Sequence, residues 1–148
     1  MRGNYAAVRL DWRESHHRRN QNLPNFEHHV FVCTNSREAG SARGSCTLDG
    51  KGELLPAFQT AAKEAGLKGK VRINKAGCMD QCEHGPMVVV YPEAVWYGRV
   101  TTADVNEIVQ QHLVGGQPVE RLRLPDGCVN TATCEHKPRL ASVAPPAV

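Results

Sequence analysis

Apolar positions along this chain repeat with two periods, and the changes between them mark out the elements. His28–Cys33, HHVFVC, is a short β-branched and aromatic run that predicts a strand ending on a cysteine. Residues 34–45 are rich in Ser, Gly, Asn and Arg and predict a loop, closed by Cys46. Near Glu53 the period becomes helical: Leu54, Leu55, Phe58, Ala61, Ala62 and Ala65 share one face. Pro56 fits that helix only within its first turn, and Gly66 followed by Leu67 marks a C-terminal cap with its hydrophobic contact. Val71–Lys75 alternates as a second strand with Val71 and Ile73 on one side. A Gly-flanked loop carrying Cys78 and Cys82 leads through Gly85-Pro86 into Met87–Tyr91, an apolar run that predicts a buried strand. Pro92–Ala94 is a turn, and Val95–Val100 returns as the second arm of a hairpin. Thr101 or Thr102 caps a second helix with Val105, Ile108, Val109 and Leu113 on its apolar face. With Thr101 as the cap, Asp104 completes a Thr-x-x-Asp pattern. Gly115 and Gly116 end that helix, and residues 118–124 read as an edge strand or an extended segment.

The order is therefore β-α-β-β-β-α. A βαβ unit makes its two strands parallel and a hairpin adds antiparallel partners, so the class is α/β: a mixed sheet flanked by helices, in a thioredoxin-like layout. The 148 residues, 41% hydrophobic, suit one domain. The expected division is a basic, disordered extension at 1–26, a folded body at 27–124, and a flexible tail at 125–148. The net charge of +3 is unevenly placed. Residues 1–25 hold five arginines against Asp11 and Glu14, whereas the remainder carries thirteen basic and thirteen acidic side chains. Such an arm reads as solvated chain rather than as a contact for nucleic acid or a membrane surface. No run approaches the roughly 18 apolar residues of a membrane span. The first residues lack the apolar core of a signal peptide, so a cytoplasmic location is expected. There cysteines serve more often as ligands or catalysts than as disulfides. Neither a phosphate-binding glycine motif nor an acid–base constellation of His and carboxylates is evident, and no enzymatic reaction is expected.

Six cysteines remain to be explained. Cys33, Cys46, Cys78 and Cys82 fall in the body with the spacing C-x12-C-x31-C-x3-C. The carboxyl ends of neighbouring parallel strands, and the loops leaving them, lie at one edge of a sheet, so four thiols can converge there. A dithiol oxidoreductase would want Cys-x-x-Cys at a helix N-terminus, which this spacing lacks. Structural zinc usually takes two short Cys knuckles, and only one pair here is short. A dinuclear iron–sulfur cluster needs two thiolates on each iron and loops long enough to reach around it, which a wide pair and a tight pair suit.

The stretches HVFVCTN, RGSC, AGCMDQCEHGPMVVVYPEAVWYGRV and VNEIVQQHLVGGQPVERL resemble the thioredoxin-like [2Fe-2S] ferredoxins, a family related to the small iron–sulfur subunit of NADH dehydrogenase. The resemblance covers about residues 27–124. It implies one [2Fe-2S] cluster held by Cys33, Cys46, Cys78 and Cys82, single-electron transfer to redox partner proteins such as a reductase, and often a homodimer. The alternatives are an iron–sulfur redox sensor and a zinc-thiolate structural module. Four thiolates outweigh the positive iron–sulfide core, so the loaded body is expected to be acidic although the chain is formally basic.

Further expectations attach to the neighbours of the thiols. Gly44, Gly77 and Gly85 let backbone approach them. Arg37, Arg43 and Lys75 are placed to add positive charge. Met79, Asp80 and Gln81 form the surface over the site and meet the redox partner. Pro86 sits where thioredoxin-like folds often hold a cis proline. Of the adjacent Trp96 and Tyr97, one belongs to the core. His84 reads as a polar loop residue, and Cys128 and Cys134 read as reduced thiols on a mobile tail without enough ligands for a second closed metal site.

Overall fold

The computed structural model describes residues 26–47, 53–131 and 134–135. The basic arm expected at 1–26 falls almost wholly outside these residues. Four strands, β1 (His28–Cys33), β2 (Val71–Ala76), β3 (Val88–Tyr91) and β4 (Val95–Tyr97), form one sheet in the order β2-β1-β3-β4. β1 and β2 are parallel, with His28 opposite Val71 and Cys33 opposite Ala76, while β3 is antiparallel to both β1 and β4. The mixed sheet and the element order agree with the sequence reading.

β3 occupies an interior position of the sheet, and Val88, Val89 and Val90 are all buried. A strand covered on both faces favours a continuous β-branched run rather than alternation. α1 (Leu54–Glu64) begins after Glu53 with Pro56 in its first turn, as expected, and buries Leu54, Phe58, Ala61 and Ala62. At its C-terminus Gly66 N–H donates to Lys63 O and Leu67 N–H to Ala62 O. The second helix, α2, covers 102–114. It opens as a 3-10 turn, Thr102–Asp104, continues through one α turn, Val105–Glu107, and ends as a π-helical stretch, Ile108–Val114. Thr101 is the cap: its N–H and its hydroxyl both donate to Asp104 Oδ2, at 2.8 and 2.7 Å. Phe58, Val30, Val88, Val90, Tyr97 and Ile108, each fully buried, join the two helices to the sheet in one core. Each such side chain contributes about 1.5–3 kcal/mol over its exposed state.

The strands fit the reading less closely at their ends. β4 stops at Tyr97 rather than reaching Val100, because Gly98 N–H turns to Leu122 O, Arg99 N–H to His84 O and Val100 N–H to Pro86 O. Arg99 takes a left-handed φ of 53° in making this turn. Residues 118–124 become a 3-10 turn, Glu120–Leu122, followed by a single antiparallel bridge from Arg123 to Tyr97. Tyr97 is the core aromatic, and Trp96, on the opposite side of β4, is half-buried. The Gly85-Pro86 peptide is cis, as is Tyr91-Pro92. Beyond Pro125 the described chain is more structured than its composition suggests: Asp126–Cys128 forms another 3-10 turn, and Cys128 and Cys134 are both buried. Among the described residues no helix is long and apolar enough to cross a membrane.

Candidate metal centre

Cys33 is the last residue of β1, and its N–H donates to Met87 O at 3.0 Å, which fixes it between the end of β2 and the start of β3. Because β1 and β2 run parallel and in step, the loop leaving β2 emerges beside it, and Cys78 follows two residues after Ala76. Cys82 opens the short 3-10 turn Cys82–His84 that closes this loop. Cys46 arrives from the wide loop. Ser45, itself buried, pins both arms of that loop: its Oγ accepts the N–H groups of Arg37 and Thr47, at 3.2 and 3.4 Å. The Thr47 hydroxyl donates to Asn35 O at 3.3 Å.

Three separate segments thus deliver four thiols to one end of the sheet, and the thiols meet in pairs. Cys78 Sγ and Cys82 Sγ are 3.4 Å apart. Cys33 and Cys46 lie together in one buried cluster, and each is the strongest influence on the other's ionisation. Across the pairs the thiols act on each other through charge, Cys82 on Cys46 and Cys33 on Cys78. In each pair one sulfur is disposed to ionise. The influence of Cys46 is the main reason Cys33 is lowered to about 6, and that of Cys33, with burial, pushes Cys46 far up. Burial opposes ionisation of Cys78, but the Asp80 N–H, the Cys82 thiol and the Arg37 guanidinium outweigh it and lower its pKa. Burial is the leading cause of the rise at Cys82.

The surroundings divide into a dry side and a wet side. Cys33 and Cys46 are buried with Met87 and Leu124, with Met79, Trp96 and Val129 packed around them. Gly85 closes on this pair so tightly that a Cβ there would lie 2.7 Å from Cys46 Sγ and 3.3 Å from Cys82 O. Gly44 adopts φ +73° with a Cβ position 3.3 Å from the same Cys82 carbonyl. Gly77, in contrast, has open space around it, so its expected role in close approach is not supported. Cys78 is exposed. Asp80 takes a left-handed φ of 58°, tolerated by Asp, and its N–H points at Cys78 Sγ, 3.4 Å away.

Of the three expected cations, Arg37 alone reaches a thiol in a direct contact, with its Nη2 3.8 Å from Cys78 Sγ. Arg43 is engaged elsewhere: its Nε donates to Glu83 at 2.7 Å and its Nη2 to Asp80 at 2.8 Å. It therefore fastens the wide loop to the tight one, with its charge met by two carboxylates. Lys75 is exposed on β2. Met79 is half-buried and Asp80 exposed, as expected of a surface over the site, but Gln81 is buried with its amide against Asn130 at 2.8 Å. His84, expected as a polar loop residue, is buried as well, with Nε2 3.2 Å from Cys134 Sγ. Sequence reasoning missed this pairing because the contact joins residues fifty positions apart. The C-x5-C spacing of Cys128 and Cys134 was visible, but not the partner. At the opposite end of β1, His28, Glu93 and His112 form a further polar cluster, with Glu93 2.9 Å from His28 and 3.7 Å from His112.

A mixed sheet of this order is a thioredoxin-like fold, and four paired thiols at the ends of its parallel strands make a candidate thiolate site for a metal. The donor set fits a dinuclear iron–sulfur cluster, which takes two thiolates at each iron. The family model of the thioredoxin-like [2Fe-2S] ferredoxins matches residues 20–113. A 2Fe-2S ferredoxin of Clostridium pasteurianum is 43% identical over 102 residues, 69% of this chain and the whole of that protein. One from Aquifex aeolicus is 47% identical over 100 residues, 67% of this chain and 90% of that one. The crystal structure of the wild-type thioredoxin-like [2Fe-2S] ferredoxin from Aquifex aeolicus superposes with a TM-score of 0.64 at 46% identity, covering 68% of this chain and 98% of that one. The chain belongs to the thioredoxin-like [2Fe-2S] ferredoxin family.

Proposed function

We propose that Cys33, Cys46, Cys78 and Cys82 hold one [2Fe-2S] cluster and that the protein is a single-electron carrier between redox proteins, with no substrate reaction of its own. The observation that carries this reading is the gathering of four thiols, two by two, from three chain segments. When bound, the cluster supplies a one-electron couple to a body that otherwise lacks one.

The chain's own residues set the conditions for that couple. Met87, Leu124 and Trp96 keep water from Cys33 and Cys46, while Arg37 and the Asp80 N–H favour negative charge at Cys78. Because Cys78 is the exposed ligand, we place the docking surface for redox partners around Cys78, Met79 and Asp80. Charge-stabilising donors beside an exposed sulfur suit a site that must gain and lose charge where a partner can approach. The division into an arm at 1–26, an electron-transfer body at 27–124 and a tail at 125–148 belongs to the same reading, as do a homodimer and a cytoplasmic location, where thiols stay reduced.

The test is purification followed by iron and sulfide analysis, visible absorption, and EPR before and after dithionite. The expected result is a coloured protein with two irons and two sulfides per chain, EPR-silent until reduced by one electron. Replacing any of the four cysteines by serine should lower iron content. A colourless protein carrying zinc in the four-thiol site would overturn the reading. An NMR interface map with a reductase that leaves residues 78–80 untouched would overturn the docking surface alone.

A further inference from the structure

A second set of metal-capable side chains lies outside the four-thiol site. The turn Asp126–Cys128 packs against the turn Cys82–His84, and His84, Cys128 and Cys134 place their donor atoms within 4.8 Å of one another, all three buried. His84 Nε2 lies 3.2 Å from the Cys134 sulfur, and the Cys128 sulfur is within 4.8 Å of both.

Both sides of this cluster are held by backbone. His84 N–H donates to Gln81 O at 3.0 Å, and its carbonyl accepts the Arg99 N–H at 2.7 Å. Gly98 lies so close that a Cβ there would fall 3.0 Å from His84 O. On the other side Cys128 N–H donates to Pro125 O at 2.8 Å, and the Gln81 amide bonds to Asn130. Thiol and imidazole side chains gathered in this way from segments about fifty residues apart are the donor types that zinc takes.

We propose that His84, Cys128 and Cys134 form a second metal site, for a zinc(II) ion, that fastens the chain beyond residue 124 to the loop carrying Cys82. Two thiolates and one imidazole supply three of the four ligands zinc takes, a set that leaves the fourth position to water. With Zn–S about 2.3 Å and Zn–N about 2.0 Å, tetrahedral ligand atoms stand roughly 3.5–4 Å apart, which the cluster reaches with small adjustments. Binding releases both thiol protons, so uptake strengthens as pH rises. Zinc has no redox couple of its own; its effect is to hold the Cys82–His84 turn from behind.

The experiment is zinc and iron analysis of the reduced full-length holoprotein after incubation with zinc chloride and removal of excess metal on a weak chelator. Zinc K-edge absorption then gives the ligands without interference from iron. The expected result is one zinc per chain beyond the iron, with two sulfurs and one or more nitrogen or oxygen neighbours. Cys128→Ser and Cys134→Ser should each weaken zinc binding more than about tenfold while leaving iron content and the visible spectrum unchanged. Zinc that is released by Cys33→Ser but not by Cys128→Ser would belong to the four-thiol site and would overturn the proposal, as would failure of the reduced holoprotein to retain zinc. A Cys128–Cys134 disulfide found by peptide mapping of freshly isolated protein, and persisting after mild reduction, would also overturn it.

Discussion

Gly85 offers the sharpest test of how the four-thiol site is built. Its φ of −64° and ψ of 158° are open to any L-residue, so Gly85→Ala carries no backbone penalty. By the entropy of the unfolded chain alone the change should stabilise by about 0.4–1 kcal/mol. Against this, the added methyl would lie 2.7 Å from Cys46 Sγ and 3.7 Å from Cys46 Cα. A carbon–sulfur approach below 3 Å must be relieved, and Cys46 is buried beside Met87 and Leu124 with little room to retreat. Overpacking of this kind costs about 1–3 kcal/mol, so the net change should lie between about 0 and 2.6 kcal/mol of loss, and Gly85→Ala should melt several degrees below a variant that gains the entropy term alone. Because the atom displaced is a proposed ligand sulfur, iron content and visible absorption should fall as well. Gly77→Ala is the internal control, since a Cβ there meets nothing within 4 Å. Thermal melts followed by circular dichroism, with iron assayed per chain, compare the two. Equal melting and equal iron content in Gly85→Ala and Gly77→Ala would refute the claim that Gly85 is needed for close approach to Cys46.

Arg37→Gln removes the cation 3.8 Å from Cys78 Sγ; the reduction potential should become more negative by less than about 59 mV, one decade of a one-electron equilibrium, with the difference shrinking in high salt. A potential that is unchanged at low salt or moves the other way counts against a role for Arg37. Thr101→Ala removes one hydroxyl donor to Asp104 at the start of α2 and should cost about 1 kcal/mol, seen as a lower melting temperature with iron retained. His112 is lowered from its ordinary value of 6.5, chiefly by burial; His28 adds to this effect and Glu93 opposes it. The native state therefore resists a proton that the unfolded chain accepts. The His112 contribution is complete above 6.5 and is lost as pH falls from there through the lowered native value, by at most about 1.4 kcal/mol per pH unit. In urea titrations His112→Gln should flatten this part of the acid limb relative to the unsubstituted protein; parallel curves would show that native His112 takes up a proton as readily as the unfolded chain does, and would refute the effect of burial.

The sequence alone settled what local physics controls. The β-branched run HHVFVC, the alternation from Val71 to Lys75, the helical stripe from Leu54 to Ala65, and the Thr101–Asp104 cap all appear where the pattern puts them, because each is decided by residues within a turn or a strand of one another. That Cys33, Cys46, Cys78 and Cys82 gather at one end of the sheet was legible for a related reason: parallel strands bring their carboxyl ends to one edge whatever the side chains are. Tertiary structure decided everything that depends on which distant surfaces meet. It gave Arg43 to Asp80 and Glu83 rather than to the thiols, buried Gln81 against Asn130, ended β4 at Tyr97 by drawing Gly98 to Leu122, and carried Cys128 and Cys134 back to His84. These contacts span tens of residues, and no short-range period or propensity encodes them; they follow from the packing of the finished sheet and the loops folded over its end.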